Sequence, residues 1–202
     1  IRPGWFYHAS EDDKVKSPES LLDLYFKSIG RGASLLLNLP PDQRGKFHPN
    51  DVQSLRDFRQ RRDEIFSQNL ASGAYITANN TRGDSRRFST QNLVDNHPDT
   101  YWSTDDNLPV TEVIFEFPET ATFNVISLRE YLPLGQRVEN FTLEIDKDGI
   151  WQSYHSGTAI GNRRLVRGQK CTTKRVRFRC VDNPACLAIS ELNIHLDPKT
   201  AD

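Results

Sequence analysis

Past Asn69 the chain carries no helical period. Short runs alternate apolar and polar side chains instead: VTEVIFEF at 110–117, NVISLREYL at 124–132, NFTLEID at 140–146, RVRFRCV at 175–181 and AISELNIHL at 188–196. Alternation with period two puts one face in a core and the other in water, which is the pattern of a half-buried strand. Asp148-Gly149, between FTLEI and WQSYH, predicts a tight hairpin. Several short strands separated by turn residues, with no helices between them, predict an antiparallel β-sandwich over 69–202.

Residues 1–68 follow another rule. Ser17 and Pro18 suit a cap and a first helical position, and Leu21, Leu22, Tyr25, Phe26 and Ile29 follow at helical spacing. Gly30 and Gly32 end that helix. Ala33 to Leu39 is a continuous apolar run, as expected of a parallel strand covered on both faces, and Pro40-Pro41 stops it. Pro49-Asn50-Asp51 starts a second helix with Val52, Leu55, Phe58 and Ile65 on one face. Arg56, Arg59, Arg61, Arg62 and Asp63 are expected on its solvated side. GWFYH reads as an earlier strand. The expected fold class is therefore α/β plus all-β, with two strand–helix units before the sandwich and a boundary near Ser67-Gln68-Asn69. Two such units cannot close a parallel sheet, so 1–68 is expected to be the end of a larger βα domain.

Charge and composition exclude several roles. The 26 basic and 27 acidic residues give a net charge of −1, and neither part is a charged tail. No electrostatic footprint for nucleic acid exists. No apolar run approaches the roughly 18 residues of a membrane span. IRPGWFYH is not a charged-then-apolar leader, and the absence of Met points to a processed or excised piece. Cys171, Cys180 and Cys186 form no paired metal array. Cys180 and Cys186 are close enough in sequence to bridge, but three small buried hydrophobes is the plainer reading.

IRPGWFYHASEDDKVKS at 1–17, LLDLYFKSIGRGASLLLNLPPDQRG at 21–45 and HPNDVQSLRDF at 48–58 resemble the end of the catalytic barrel of family 29 glycoside hydrolases, the α-L-fucosidases. NLASGA at 69–74, LVDNHPDTYWST at 93–104, LGQRVENFTLE at 134–144 and AISELNIHL at 188–196 resemble a discoidin-type sandwich, also called F5/8 type C or carbohydrate-binding module family 32, with a galactose-binding-like jelly roll. The resemblance implies a (β/α)8-like barrel and a hydrolase that releases terminal fucose from fucosylated glycans with retention. It also implies a secreted, periplasmic or lysosome-like location. The alternative is a non-catalytic glycan-binding or adhesion module, which would not need residues 1–68.

Retention takes two carboxylates about 5–5.5 Å apart. The resemblance places both in the remainder of the barrel, so no catalytic residue is assigned to this chain. Glu11-Asp12-Asp13 reads as a solvated loop, with Glu11 its one candidate for an active-site face. Trp5 and Tyr7 are the substrate-binding candidates, since aromatic faces suit the apolar C–H faces of a sugar. His8 and Asn38 read as scaffold residues. In the sandwich the resemblance implies a structural Ca2+ held by Asp95, Thr100 and Glu191, with main-chain oxygens from Asn92 and His97. Calcium takes six to eight such hard oxygens. Arg129, Glu130, Tyr131, Arg137 and Trp151 are candidates for a sugar platform on the sandwich, and Trp102 is assigned to its core.

Overall fold

The computed structural model describes residues 1–183 and 185–200. The chain divides into two compact units, Ile1–Ser67 and a second from Gln68 onward. Residues 201–202, the end of the expected sandwich span, lie outside the described residues.

In the first unit both helices form. Helix α1 spans Pro18–Lys27, capped by the Ser17 hydroxyl, which accepts from the Ser20 amide at 3.2 Å. A short 3-10 turn, Ile29–Arg31, follows, and Gly32 closes it at φ +80°, where a side chain would be strained. Helix α2 spans Pro49–Phe66, and the His48 ring caps it by accepting from the Asn50 amide. Its buried stripe is Asp51, Ser54, Phe58, Arg61 and Ile65. Arg61 is thus 6% exposed, not solvated as expected, and its guanidinium reaches Glu64 at 3.0 Å. The long Arg stem packs inward while its head finds a carboxylate.

The two expected strands do not form among the described residues. The first segment lies beside the second, but the ties are not a ladder. The Ile1 ammonium donates to the Asn38 carbonyl at 2.7 Å, and the Asn38 side chain donates to the Trp5 carbonyl at 2.7 Å. A strand needs repeated main-chain partners, and these two bonds do not supply them. Leu36, in the apolar run, is 89% exposed.

The second unit is an antiparallel β-sandwich. Its strands are β1 (Tyr75–Ala78), β2 (Trp102–Ser103), β3 (Val110–Glu130), β4 (Phe141–Lys147), β5 (Ile150–Gly157), β6 (Arg164–Val181) and β7 (Ala188–His195). They run in the order β2-β7-β3-β6-β4-β5, with β1 also on β3. The strands expected at 110–117 and 124–132 are one strand of 21 residues, bent by register shifts after Glu116 and Phe123. Its first half pairs with β1, and its second half pairs with β7. Between the layers lie Trp102, Phe115, Phe123, Phe141 and Phe178, all essentially inaccessible. Asn124 faces away from that core yet is also buried. Its carboxamide exchanges two bonds with the Asp197 main chain, so the C-terminal segment covers the outer face there. The three cysteines are free; Cys180 and Cys186 are buried and Cys171 is half-buried, so the reading as buried hydrophobes holds for two of the three.

Candidate functional site

The polar centre of the first unit is built on Arg2. Its guanidinium forks onto Asp51, with Nε at 3.0 Å from both carboxylate oxygens and Nη2 at 2.7 Å from one. The same Nη2 meets Asp12 at 2.9 Å. Both side chains of the Arg2–Asp51 pair are buried, and the bonds to Asp51 and Asp12 hold the guanidinium charged. Asp12 also accepts from the Tyr7 hydroxyl at 3.2 Å and faces the His48 ring at 3.4 Å. Arg2 lies over the Tyr7 ring, 4.9 Å from its centre. The loop 9–14 is therefore not a solvated acidic run: Asp12 ties it to Arg2. Glu11 accepts from the Gly4 amide at 3.2 Å, which serves the turn.

Trp5 and Tyr7 stand differently. Trp5 is 68% exposed and lines a cavity of about 440 Å³ with Arg2, Leu36 and Asn38. Tyr7 has its hydroxyl on Asp12 and its face under Arg2. The strand expected of GWFYH, which would carry both rings, does not form among the described residues. His8 contributes its carbonyl to Arg2 at 3.4 Å, and Asn38 braces Ile1 and Trp5, both scaffold roles. Nearby, the Arg44 guanidinium and the amides of Arg44 and Lys46 pull the Asp42 carboxyl down to about 2.

In the sandwich the Asp95 loop folds on itself. One Asp95 oxygen accepts from the His97 amide at 2.9 Å, the other from the Thr100 hydroxyl at 2.7 Å. The left-handed Asn96 (φ +57°) makes the turn tight. The Asn92 side chain donates to the Arg87 and Tyr101 carbonyls and fixes the loop base. Glu191 arrives from β7, 5% exposed, and accepts from the Asn193 amide group at 3.1 Å. Burial pushes its carboxyl up, and the Asp95 charge pushes it further. Two carboxylates that repel each other, one of them buried, suit a hard cation. No cluster of three or more His, Cys, Asp or Glu is gathered for a metal among the described residues. Thr100 and main-chain oxygens would therefore have to complete the shell.

The sugar-platform candidates separate. Glu130 is buried and accepts three amides, from Arg137 (2.7 Å), Val138 (2.9 Å) and Gly161 (2.7 Å), so it is a latch between loops. Arg137 is spent on the Leu134 carbonyl and on Cys186. The Arg177 and Arg175 guanidiniums lie over the Trp151 ring, 4.5 and 5.2 Å from its centre. Those arginines pair with Glu144, Glu112 and Asp146 across the sheet. Tyr131 stacks on Tyr101 at 4.2 Å and 14°, and Phe88 joins at 5.3 Å. Arg129 keeps its carbonyl on the Ser190 hydroxyl. Trp102 is core, as expected, with its indole N–H on the Asn80 carbonyl. Sequence reasoning passed over Arg2 and Asp51, because 49 residues separate them and no local pattern marks the pair.

A two-layer antiparallel module with a looped carboxylate at one end, following a helical unit whose N-terminal segment is tied to α2 by a buried ion pair, defines a discoidin-like sandwich joined to a unit of another kind. Residues 75–192 match the F5/8 type C domain, more than half of the sequence, and the chain belongs to that family. Residues 1–60 match the α-L-fucosidase family. The chain is similar to alpha-L-fucosidase 1 of Arabidopsis thaliana, 37% identical over 98% of this chain and 39% of that protein. Among solved structures it is similar to SpGH29, with a TM-score of 0.88 and 36% identity, covering 98% of this chain and 43% of that one. It is also similar to a Ruminococcus gnavus GH29 fucosidase in complex with fucose, with a TM-score of 0.92 and 28% identity, over 98% and 40%. The chain spans about a third to two-fifths of the length of the curated relatives it matches.

Proposed function

We propose that this chain is the C-terminal part of an exo-acting, retaining α-L-fucosidase that releases terminal L-fucose from fucosylated glycans. The observation that carries the reading is the similarity to fucosidases across both units together, over 98% of the chain. In this reading the nucleophile and the acid/base lie in the remainder of the barrel, and residues 1–68 help shape the sugar pocket. Trp5 offers its exposed ring to the apolar side of fucose, and Tyr7, fixed by Asp12 and Arg2, is the secondary contact. The Arg2–Asp51–Asp12 node holds the turn that carries both rings.

The sandwich is an accessory carbohydrate-binding module in the same reading, and a bound Ca2+ is its structural ion. Asp95, Thr100 and Glu191 would hold it, with main-chain oxygens of Asn92 and His97. It would neutralise the Asp95–Glu191 repulsion and tie the loop to β7. A secreted, periplasmic or lysosome-like location goes with a glycan substrate. The test is hydrolysis of a nitrophenyl α-L-fucoside. The protein carrying the remaining barrel should turn over, and residues 1–202 alone should be inert. Turnover by residues 1–202 alone would return attention to Glu11. An inert longer protein that still binds fucosylated glycan would favour the non-catalytic module.

A further inference from the structure

The chain contains two Asn-x-Thr tripeptides, Asn79-Asn80-Thr81 and Asn140-Phe141-Thr142, the acceptor pattern for asparagine-linked glycans. The structure treats them differently. The Asn79 carboxamide is committed on both sides. It donates to the Val110 carbonyl at 2.9 Å and accepts from the Glu112 amide at 3.0 Å, continuing the β1–β3 pairing by one step. A glycan on its nitrogen would take the place of one amide hydrogen against β3. Asn140 is exposed, and its side chain makes no hydrogen bond among the described residues. The next residue pins the backbone. Phe141 is 1% exposed, stacks on Phe178 at 5.9 Å and pairs with Gly157 across β4–β5. With Phe141 turned into the core, strand alternation turns Asn140 to solvent.

We propose that Asn140 is an acceptor site for an N-linked glycan and that Asn79 is not. The proposal rests on the secretory location read above. In the attachment, the Asn140 carboxamide nitrogen bonds to C1 of the reducing-end sugar of a polyprenyl-diphosphate-linked oligosaccharide. The C1–O bond to the diphosphate breaks, polyprenyl diphosphate leaves with the electron pair, and the amide gives one N–H proton to solvent. No oxidant or reductant is needed. The position also suits a bulky group. Asn140 adjoins the Gly157 end of β5, which among the described residues pairs only with β4 and whose eight residues, IWQSYHSG, include no Lys, Arg, Asp or Glu. An exposed edge without charge is open to pairing with another chain, and a glycan at its end would obstruct that.

The full chain is expressed in a eukaryotic secretory cell behind an added leader. It is treated with an amidase that releases N-glycans and leaves Asp in place of the modified Asn. With the leader, the expected result is a mobility shift equal to one oligosaccharide and conversion of residue 140 alone. Asn140→Gln and Thr142→Ala should each abolish the shift, Thr142→Ser should keep it, and Asn79→Gln should leave it unchanged. Melting curves of each variant establish that it folds. A leader-bearing protein recovered from the medium without a glycan overturns the assignment, as does a shift that survives Asn140→Gln. A glycan on residue 140 of the leader-bearing chain but not of the longer protein isolated from its own source supports the site and places the error in the location.

Discussion

Replacing Glu191 with Gln isolates the charge that the calcium reading depends on. Glu191 is buried in β7, and burial above all, with a further push from the Asp95 carboxylate, raises its pKa above the ordinary 4.5, against pulls from the Asn193 hydrogen bond and the Arg129 charge. A carboxyl with a raised folded pKa holds its proton more tightly folded than unfolded. Its penalty is therefore absent below pH 4.5 and grows as pH rises through the folded value. Without a cation the sandwich should lose stability over that window and then level off. A cation bound only to the folded state adds about 2.7 kcal/mol at a hundredfold excess over Kd. At about 3–5 °C per kcal/mol for a unit of this size, chelation should lower Tm by about 10 °C at neutral pH. Glu191→Gln keeps the volume and an oxygen for Asn193 but removes the charge. It should lose the calcium response and, in chelator, melt at or above the native protein. Scanning calorimetry with excess calcium or chelator, at neutral and at mildly acid pH, reads both effects. A native Tm indifferent to chelator, or a Gln variant that keeps the full shift, would refute the reasoning.

Asp51→Ala strands the buried Arg2 charge with only Asp12 and should cost the first unit about 3–5 kcal/mol in urea unfolding followed by helical circular dichroism. Replacing Arg2 and Asp51 together by Met and Leu should recover most of that loss. Glu130→Ala leaves three amides without their acceptor and, at about 1–3 kcal/mol each, should be among the most damaging single changes in the sandwich by thermal melting. Trp5→Ala in the fucosidase should lower kcat/KM about 5–30-fold, or about 1–2 kcal/mol of transition-state binding, with Tm unchanged. Unchanged kinetics would make Trp5 a packing residue. Burial lowers the pKa of His195 below 6.5, outweighing its bond to the Gln68 carbonyl. Stability should therefore fall as pH drops through 6.5 toward the lower folded value, and His195→Gln should flatten that slope in pH-dependent melts.

The sandwich was legible because period-two alternation is a local signal that burial enforces. The β4–β5 hairpin, the later half of β6 and β7 all lie where the alternation put them. What escaped was set by distant partners. The 11 residues from Arg164 to Lys174, RLVRGQKCTTK, extend β6 without a clear alternation, and pairing with the far half of β3 makes them strand. β1 and β2 are too short to show a period. In the first unit the apolar run Ala33–Leu39 has the composition of a parallel strand, but composition cannot supply ladder partners, and the run forms no strand among the described residues.

The candidate sites divide along the same line. Asp95 and Thr100 are five residues apart, and the turn between them is written in Asp-Asn-His-Pro, so the loop could be read directly. Glu191 joins them only because β2 and β3 both pair with β7. Once the strand order is known, its burial acquires a reason. A carboxylate held nearly out of water beside a second one costs stability unless something positive meets them. Arg2 and Asp51 pose the same problem and solve it within the chain: each is buried, and each meets the other's charge through three bonds of 3.0 Å or less. In the described residues Glu191 accepts from the Asn193 carboxamide, a neutral donor, and its cross-strand neighbour Arg129 pulls on its charge too weakly to offset burial and the Asp95 charge. That difference, more than the spacing of the loop, is the physical argument for a cation at the end of the sandwich.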